Sequence, residues 1–169
     1  AQVFGFSSHK DVEIIIDRTD EDCWVSGDVH LLERAVTNVL YNAVQHTPAG
    51  NKVTIRLYVQ QGIQIVVSDT GVGIASDLIP HLFEPYFRAR KKQQEQSNHD
   101  FPQVGILQNG LPQQATSDAL TATHGAKSYG LGLSFVHTVV ERHGGSIHVE
   151  SVLGKSTSFV LKLPALSVD

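Results

Sequence analysis

Three features of the sequence predict a mixed domain of strands and helices, α/β (α+β) in class. Ile63-Gln64-Ile65-Val66-Val67-Ser68 alternates apolar with less apolar positions, the period of a half-buried strand, and it ends on Asp69. Leu32, Ala35, Val36, Val39, Leu40 and Ala43 recur at helical spacing and fall on one face. Ser158 to Leu163 alternates again, through Phe159, Leu161 and Leu163. A chain of 169 residues suits one domain, and 41% apolar residues suffice for its core.

Composition narrows the function classes. A net charge of -4 makes no electrostatic case for nucleic acid. No apolar run approaches the roughly 20 residues that a membrane helix needs, so no membrane contact is expected of this stretch. No signal peptide is read at the start. The single cysteine, Cys23, excludes an internal disulfide and fits a reducing compartment. Beside Trp24 it is expected to be a buried structural thiol. The chain begins at Ala1 and contains no methionine, so a piece of a longer protein is expected.

Taken in order, residues 1–10 are polar and aperiodic, the end of a linker, and residues 11–169 form the domain. Val12 to Ile16 reads as a strand, Asp17 to Asp22 as a charged turn, and Cys23 to Val25 as a short second strand. Asp28 stands where a helix N-cap belongs. On that helix Asn38 and Asn42 are one turn apart and share a face, flanked by Arg34, Gln45 and His46. Asparagine is a middling helix former. The stripe suits either a solvated edge or a row of neutral oxygens facing a polar ligand or a hydrated cation such as Mg²⁺. Thr47-Pro48-Ala49-Gly50-Asn51 stops the helix. Val53 to Val59 alternates as a strand, Gln60-Gln61-Gly62 turns, and the strand ending at Asp69 completes an antiparallel hairpin.

Asp69-Thr70-Gly71-Val72-Gly73-Ile74 is the stretch that carries the most chemistry. A strand end delivers one carboxylate, and two glycines then allow unusual backbone angles and close approach. A fixed carboxylate beside bare backbone suits a flat heterocycle carrying an amino group. The same hexapeptide also suits an ordinary strand-to-loop turn, since short glycine motifs are weak. Ser76 to Leu82 allows one helical turn limited by Pro80. Phe83, Tyr86 and Phe87 surround Pro85, as anchors for a mobile segment or as plain core.

Residues 88–129 hold Arg88, Arg90, Lys91 and Lys92, then a Gln/Asn/Ser-rich run without period. So long an aperiodic insertion reads as a lid, a binding loop or disorder; a hinged flap from Lys91 to Lys127 is expected. His99, Asp100 and His124 match no metal-ligand spacing. Tyr129-Gly130-Leu131-Gly132-Leu133 opens the next helix, whose unpaired N–H groups suit phosphate. Leu133, Val136, Val139 and Val140 line its face, and Gly144-Gly145 ends it. Ser146 to Ser151 and Ser158 to Leu163 read as strands around Gly154-Lys155-Ser156-Thr157.

Together these pieces resemble the catalytic and ATP-binding domain of bacterial sensor histidine kinases, in the superfamily shared with gyrase, MutL proteins and a heat-shock chaperone. Asn38 to Pro48 looks like the N box, and Asp69 to Ile74 like the first glycine box. Phe83 to Arg88 looks like the F box, Gly130 to Leu133 like the second glycine box, and Gly154 to Phe159 like the last Gly/Thr box. The resemblance covers residues 12–164 outside the lid.

It implies a two-layer sandwich, a mixed sheet on about three helices, with ATP under a long lid. It implies that Asp69 accepts a hydrogen bond from the adenine amine, with Thr157 supporting it. Asn42 would coordinate Mg²⁺, and Asn38 would support the phosphates or the metal; these two are the catalytic candidates. Gly71 and Gly73 would leave room for the nucleotide, and Gly130 and Gly132 would offer N–H groups to the phosphates. Gln45, His46, Ile74, Arg88, Tyr129, Leu131 and Leu133 complete the expected ATP contacts.

Gln45 stands where many members have Lys or Arg, so a phosphate contact would fall to Arg88 or a lid lysine. Ser128 and Ser156 replace common glycines. Asn38 stands where the superfamily's hydrolases carry a glutamate base, which favours transfer over hydrolysis. None of the nine histidines lies in a His-acidic motif on a helical stretch, so the acceptor is expected on a separate dimerisation domain. The implied partners are that phosphoacceptor domain and a downstream response regulator. The implied location is the cytoplasmic part of a membrane-anchored sensor. The alternatives are an ATP-hydrolysing switch or a degenerate kinase domain that only binds partners.

Overall fold

The computed structural model describes residues 2–4, 11–18, 22–87 and 131–166. The expected lid flap lies outside them, as do Arg88, Tyr129 and Gly130. Six strands form one sheet, β1 (Gln2–Phe4), β2 (Val12–Arg18), β3 (Asn51–Val59), β4 (Ile63–Asp69), β5 (Ser146–Val152) and β6 (Ser156–Leu163), in the order β1-β2-β3-β4-β6-β5. Two helices, α1 (Val29–His46) and α2 (Gly132–Arg142), complete the described architecture with a 3₁₀ turn at Ile79–His81. The sheet is mixed because β2 and β3 run parallel, joined by α1 as the crossover, while every other pair is antiparallel.

Alternation along the strands assigns the two faces. Directly opposed residues point the same way, so Val67, Phe159 and Val149 form one rung across β4, β6 and β5. Ile65, Leu161 and Ile147 form the next. Against these rungs pack Ala35, Val39 and Ala43 of α1 and Leu133, Val136, Val139 and Val140 of α2. Full burial of an aliphatic side chain contributes about 1.5–3 kcal/mol, so Val39, Val67, Val136 and Val140, each 0% exposed, anchor the two layers. The opposite face carries Gln64, Ser68, His148, Glu150, Ser158 and Lys162, with the Ser68 and Ser158 hydroxyls in contact.

The helix ends are secured as the sequence predicts. The Asp28 Oδ1 accepts from the His30 and Leu31 N–H groups at 2.9 and 3.1 Å, a cap worth about 0.5–2 kcal/mol. At the other end the buried Thr47 hydroxyl donates to the Ala43 carbonyl at 2.6 Å, satisfying a group that the helix leaves open. His143, at the end of α2, joins the helices. Its Nδ1 lies 2.7 Å from the Val139 carbonyl, which can only accept, so Nδ1 carries the proton. Its Nε2 is then free to accept the Asp28 N–H at 3.0 Å.

Three expectations change. Residues 2–4 pair with β2, although their sequence carries no strand period. Cys23 to Val25 is not a strand: among the described residues it makes no ladder, only one backbone bond from Leu166 N–H to the Trp24 carbonyl at 2.7 Å. Pro164, without an N–H, stands before Leu166 and limits ladder formation there. Cys23 is half-buried rather than buried. Of about three expected helices, two α-helices and the 3₁₀ turn lie among the described residues, and Pro80 sits at the start of that turn.

Candidate functional site

The helix-facing rungs of the sheet are apolar until the last. There β4, β6 and β5 present Asp69, Thr157 and Ser151 side by side. Asp69 is 4% exposed and Thr157 5%, so two polar side chains are buried at one end of the core. Burial pushes the Asp69 carboxyl above its ordinary value, and backbone N–H groups of Gly71 and Thr157 oppose that push by stabilising the anion. The Gly71 N–H reaches Oδ1 at 2.9 Å. Thr157 thus supports Asp69 through its backbone, while its hydroxyl lies 3.0 Å from the Ser151 hydroxyl.

The turn after Asp69 is clamped from two sides. On one, the Val72 N–H donates to the His46 carbonyl at the end of α1, at 3.4 Å. A Cβ on Gly71 would lie 2.4 Å from that carbonyl oxygen, so only glycine lets the turn close on the helix. On the other side the Gly154 N–H donates to the Val72 carbonyl at 2.7 Å, and the Ile74 N–H donates to the Ser151 Oγ at 2.8 Å. Gly73 has a φ of 67°, and a Cβ there would lie 2.1 Å from the Val152 carbonyl oxygen. The space that these glycines keep open is therefore taken by protein backbone, a packing role beside the nucleotide role that the resemblance implies.

Helix α1 brings the asparagine stripe to α2. Asn38 is half-buried, and its Cγ lies 4.0 Å from the position of a Cβ on Gly132, the first residue of α2. One turn earlier the Arg34 guanidinium sits 4.7 Å above the Phe135 ring, a cation–π contact that fixes the same interface. Asn42 is half-buried on the same side of α1, and Gln45 and His46 are exposed. The Gln45 amide donates to the Tyr41 hydroxyl at 2.9 Å. Leu131 is exposed and Leu133 is core, so Leu133 positions the start of α2 by packing. In the aromatic segment, Phe83 packs on the core and its ring lies 5.2 Å from that of His137. Phe87 stacks on His81 at 5.4 Å, whereas Tyr86 is exposed with a φ of 61°.

This arrangement joins a buried carboxylate at a strand end, a double-glycine turn and an asparagine helix face. It matches, over residues 27–167, the family described as histidine kinase-, DNA gyrase B-, and HSP90-like ATPase. The chain belongs to that ATPase family. Within it the chain is similar to sensor histidine kinases. It is 31% identical over 158 residues to the sensor histidine kinase RppB of Synechocystis, covering 93% of this chain and 28% of that protein. It is 32% identical over 143 residues to the histidine protein kinase DivJ of Caulobacter vibrioides, covering 84% of this chain and 19% of DivJ. The chain therefore spans 28% and 19% of the length of these two relatives. Among solved structures, a mycobacterial sensor histidine kinase, MprB, superposes with a TM-score of 0.64 at 28% identity, over 94% of this chain and 85% of that one. Full-length ShkA in complex with AMPPNP shares the fold, with a TM-score of 0.65 at 20% identity, over 93% of this chain and 26% of that one. The fold and the family identify an ATP-binding catalytic domain of the sensor histidine kinase type.

Ser151 escaped the sequence reading. Ser151 and Thr157 stand three residues either side of Gly154, the spacing of opposed residues across a hairpin tip, and that symmetry is the signal that could have found it.

Proposed function

We propose that this ATPase-family domain binds Mg²⁺-ATP at the Asp69 turn and passes the γ-phosphoryl to a histidine on a separate dimerisation domain of the same protein. The observation that carries the reading is the polar rung at the core's end: a buried carboxylate with two backbone donors, beside the asparagine face of α1. Asp69 accepts from the base amine. The open N–H groups at the start of α2, with Gly132 against Asn38, receive phosphate oxygens.

The donor chemistry fits Mg²⁺. Among the described residues no group of three or more His, Cys, Asp or Glu could cage a metal by itself. A neutral amide oxygen from Asn42, completed by waters and phosphate oxygens, is the coordination that Mg²⁺ accepts. Bound there, Mg²⁺ would neutralise charge on the phosphoryl group being transferred. An imidazole nitrogen of the acceptor forms the new bond to the γ-phosphorus as the bond to the bridging oxygen breaks, and ADP leaves. Asn38 offers no base for water, which sets transfer above hydrolysis. The phosphoryl then passes to a response regulator. The proposed location is the cytoplasmic part of a membrane-anchored sensor; among the described residues no helix is long and apolar enough to cross a membrane.

Two measurements test this. Calorimetry with ATP, with and without Mg²⁺, reads the binding. Mixing the domain with a separately purified acceptor domain reads transfer, which should be slow without a tether. Absence of ATP binding, or acid-labile label on this domain's own histidines, contradicts the proposal.

A further inference from the structure

The hydroxyls at the polar rung admit one arrangement of protons. The Ser151 Oγ has three partners: the Ile74 N–H at 2.8 Å, the Ser156 carbonyl at 2.8 Å and the Thr157 Oγ1 at 3.0 Å. A backbone N–H can only donate, and a carbonyl can only accept. The single Ser151 proton is therefore committed to Ser156, and one of its lone pairs to Ile74. The contact with Thr157 forms only if Thr157 donates. With its proton aimed at Ser151, the Thr157 oxygen presents lone pairs alone in every other direction. Asp69, directly opposite Thr157 across β4 and β6, is likewise an acceptor.

We infer that Ser151 is a positioning residue that sets base specificity: by holding Thr157 as its donor, it makes the Asp69–Thr157 pair acceptor-only. Such a pair selects a base whose edge carries an amino group and rejects one that carries a carbonyl oxygen there. Ser151 acts through Thr157 and need not touch the nucleotide. The inference rests on the Asp69 turn being the ATP site.

The test compares ATP with inosine triphosphate, in which a carbonyl oxygen replaces the amine and the adjacent ring nitrogen carries a proton. Dissociation constants for both are measured by calorimetry on wild type, Ser151→Ala, Ser151→Thr, Thr157→Val and the double variant Ser151→Ala/Thr157→Val. Wild type should prefer ATP; if it binds neither nucleotide or shows no preference, the site reading itself fails. In Ser151→Ala the Thr157 hydroxyl is free to rotate and donate to the carbonyl oxygen. The preference should then fall about fivefold, the worth of one neutral hydrogen bond. Ser151→Thr keeps a hydroxyl and should restore the preference. In the Thr157→Val background, Ser151→Ala should change the preference by less than about twofold, because the group through which it acts is gone. If Ser151→Ala weakens both nucleotides by one common factor, Ser151 only braces the Ile74 turn and the inference is overturned. Should Ser151→Ala fail to fold, Thr157→Val alone decides. An unchanged preference there shows that the hydroxyl takes no part.

Discussion

If Asp69 receives the base amine as proposed, replacing it by Asn should separate recognition from folding, because the carboxylate is costly to the empty domain and would be essential to the occupied one. Its burial raises the carboxyl pKa, which means that the anion is less well solvated here than in water. Asparagine removes that penalty, and its amide oxygen can still accept the Gly71 N–H that Oδ1 accepts at 2.9 Å, so that the gain is set against weakening of the lesser bond from the Thr157 N–H. The stability of the nucleotide-free domain should therefore change by less than about 1 kcal/mol, the net worth of one ordinary hydrogen bond. Binding should collapse. A hydrogen bond to a charged group contributes about 1.5–3 kcal/mol, and the asparagine NH₂ turned toward the base amine opposes donor to donor, adding about 1 kcal/mol or more. A combined loss of about 3 kcal/mol is roughly a 150-fold rise in Kd. Calorimetry with a non-hydrolysable ATP analogue reads the affinity, and thermal unfolding of the same sample reads the fold. Unchanged affinity in a folded Asp69→Asn protein would refute the adenine assignment.

Three further outcomes follow from the same geometry. Asn42→Ala should weaken ATP binding about tenfold (~1.4 kcal/mol) in Mg²⁺ and far less in chelator; equal losses in calorimetry would make Asn42 structural. Because the folded pKa of Asp69 is raised, its contribution to stability is fully present below the unfolded value of 3.8 and is lost as pH rises through the folded value. Asp69→Asn should accordingly gain stability relative to wild type across that window, and urea midpoints that keep a constant difference from acid to neutral pH would contradict the shift. Gly73→Ala places a Cβ 2.1 Å from the Val152 carbonyl oxygen at a φ of 67°, whereas a Cβ on Gly154, at a φ of 77°, meets nothing within 4 Å. The Gly154→Ala change should cost about 1–2 kcal/mol from the backbone alone. Gly73→Ala should cost clearly more and weaken ATP binding, as denaturant unfolding and calorimetry would show.

What the sequence made legible is what local periodicity controls. The α1 stripe, its Asp28 cap, the β3–β4 hairpin and the buried face of α2 each rest on contacts within a few residues or on strict alternation. Residues 2–4 carry no such pattern, because an edge strand of three residues is held by β2 and not by its own preference. Cys23 to Val25 fails for the converse reason. Its strand-like composition finds no ladder partner there, and propensity alone does not make a strand.

The site divides along the same line. Asp69 was legible because a strand period ends on it and two glycines follow, so local sequence alone marks the place. That Thr157 supports Asp69 with its N–H and turns its hydroxyl to Ser151 was not legible, since it depends on registers set 88 residues apart in the chain between β4 and β6. A shift of either strand by one residue would set Ser156 or Ser158 opposite Asp69 in place of Thr157 and turn that strand's apolar residues to the opposite face of the sheet. The apolar rungs beneath, with Val67, Phe159 and Leu161 fully buried, penalise that shift heavily. On the proposed reading, specificity at the polar rung is therefore enforced by the packing of the core below it. A core variant that loosens register should blur base selection before it abolishes folding.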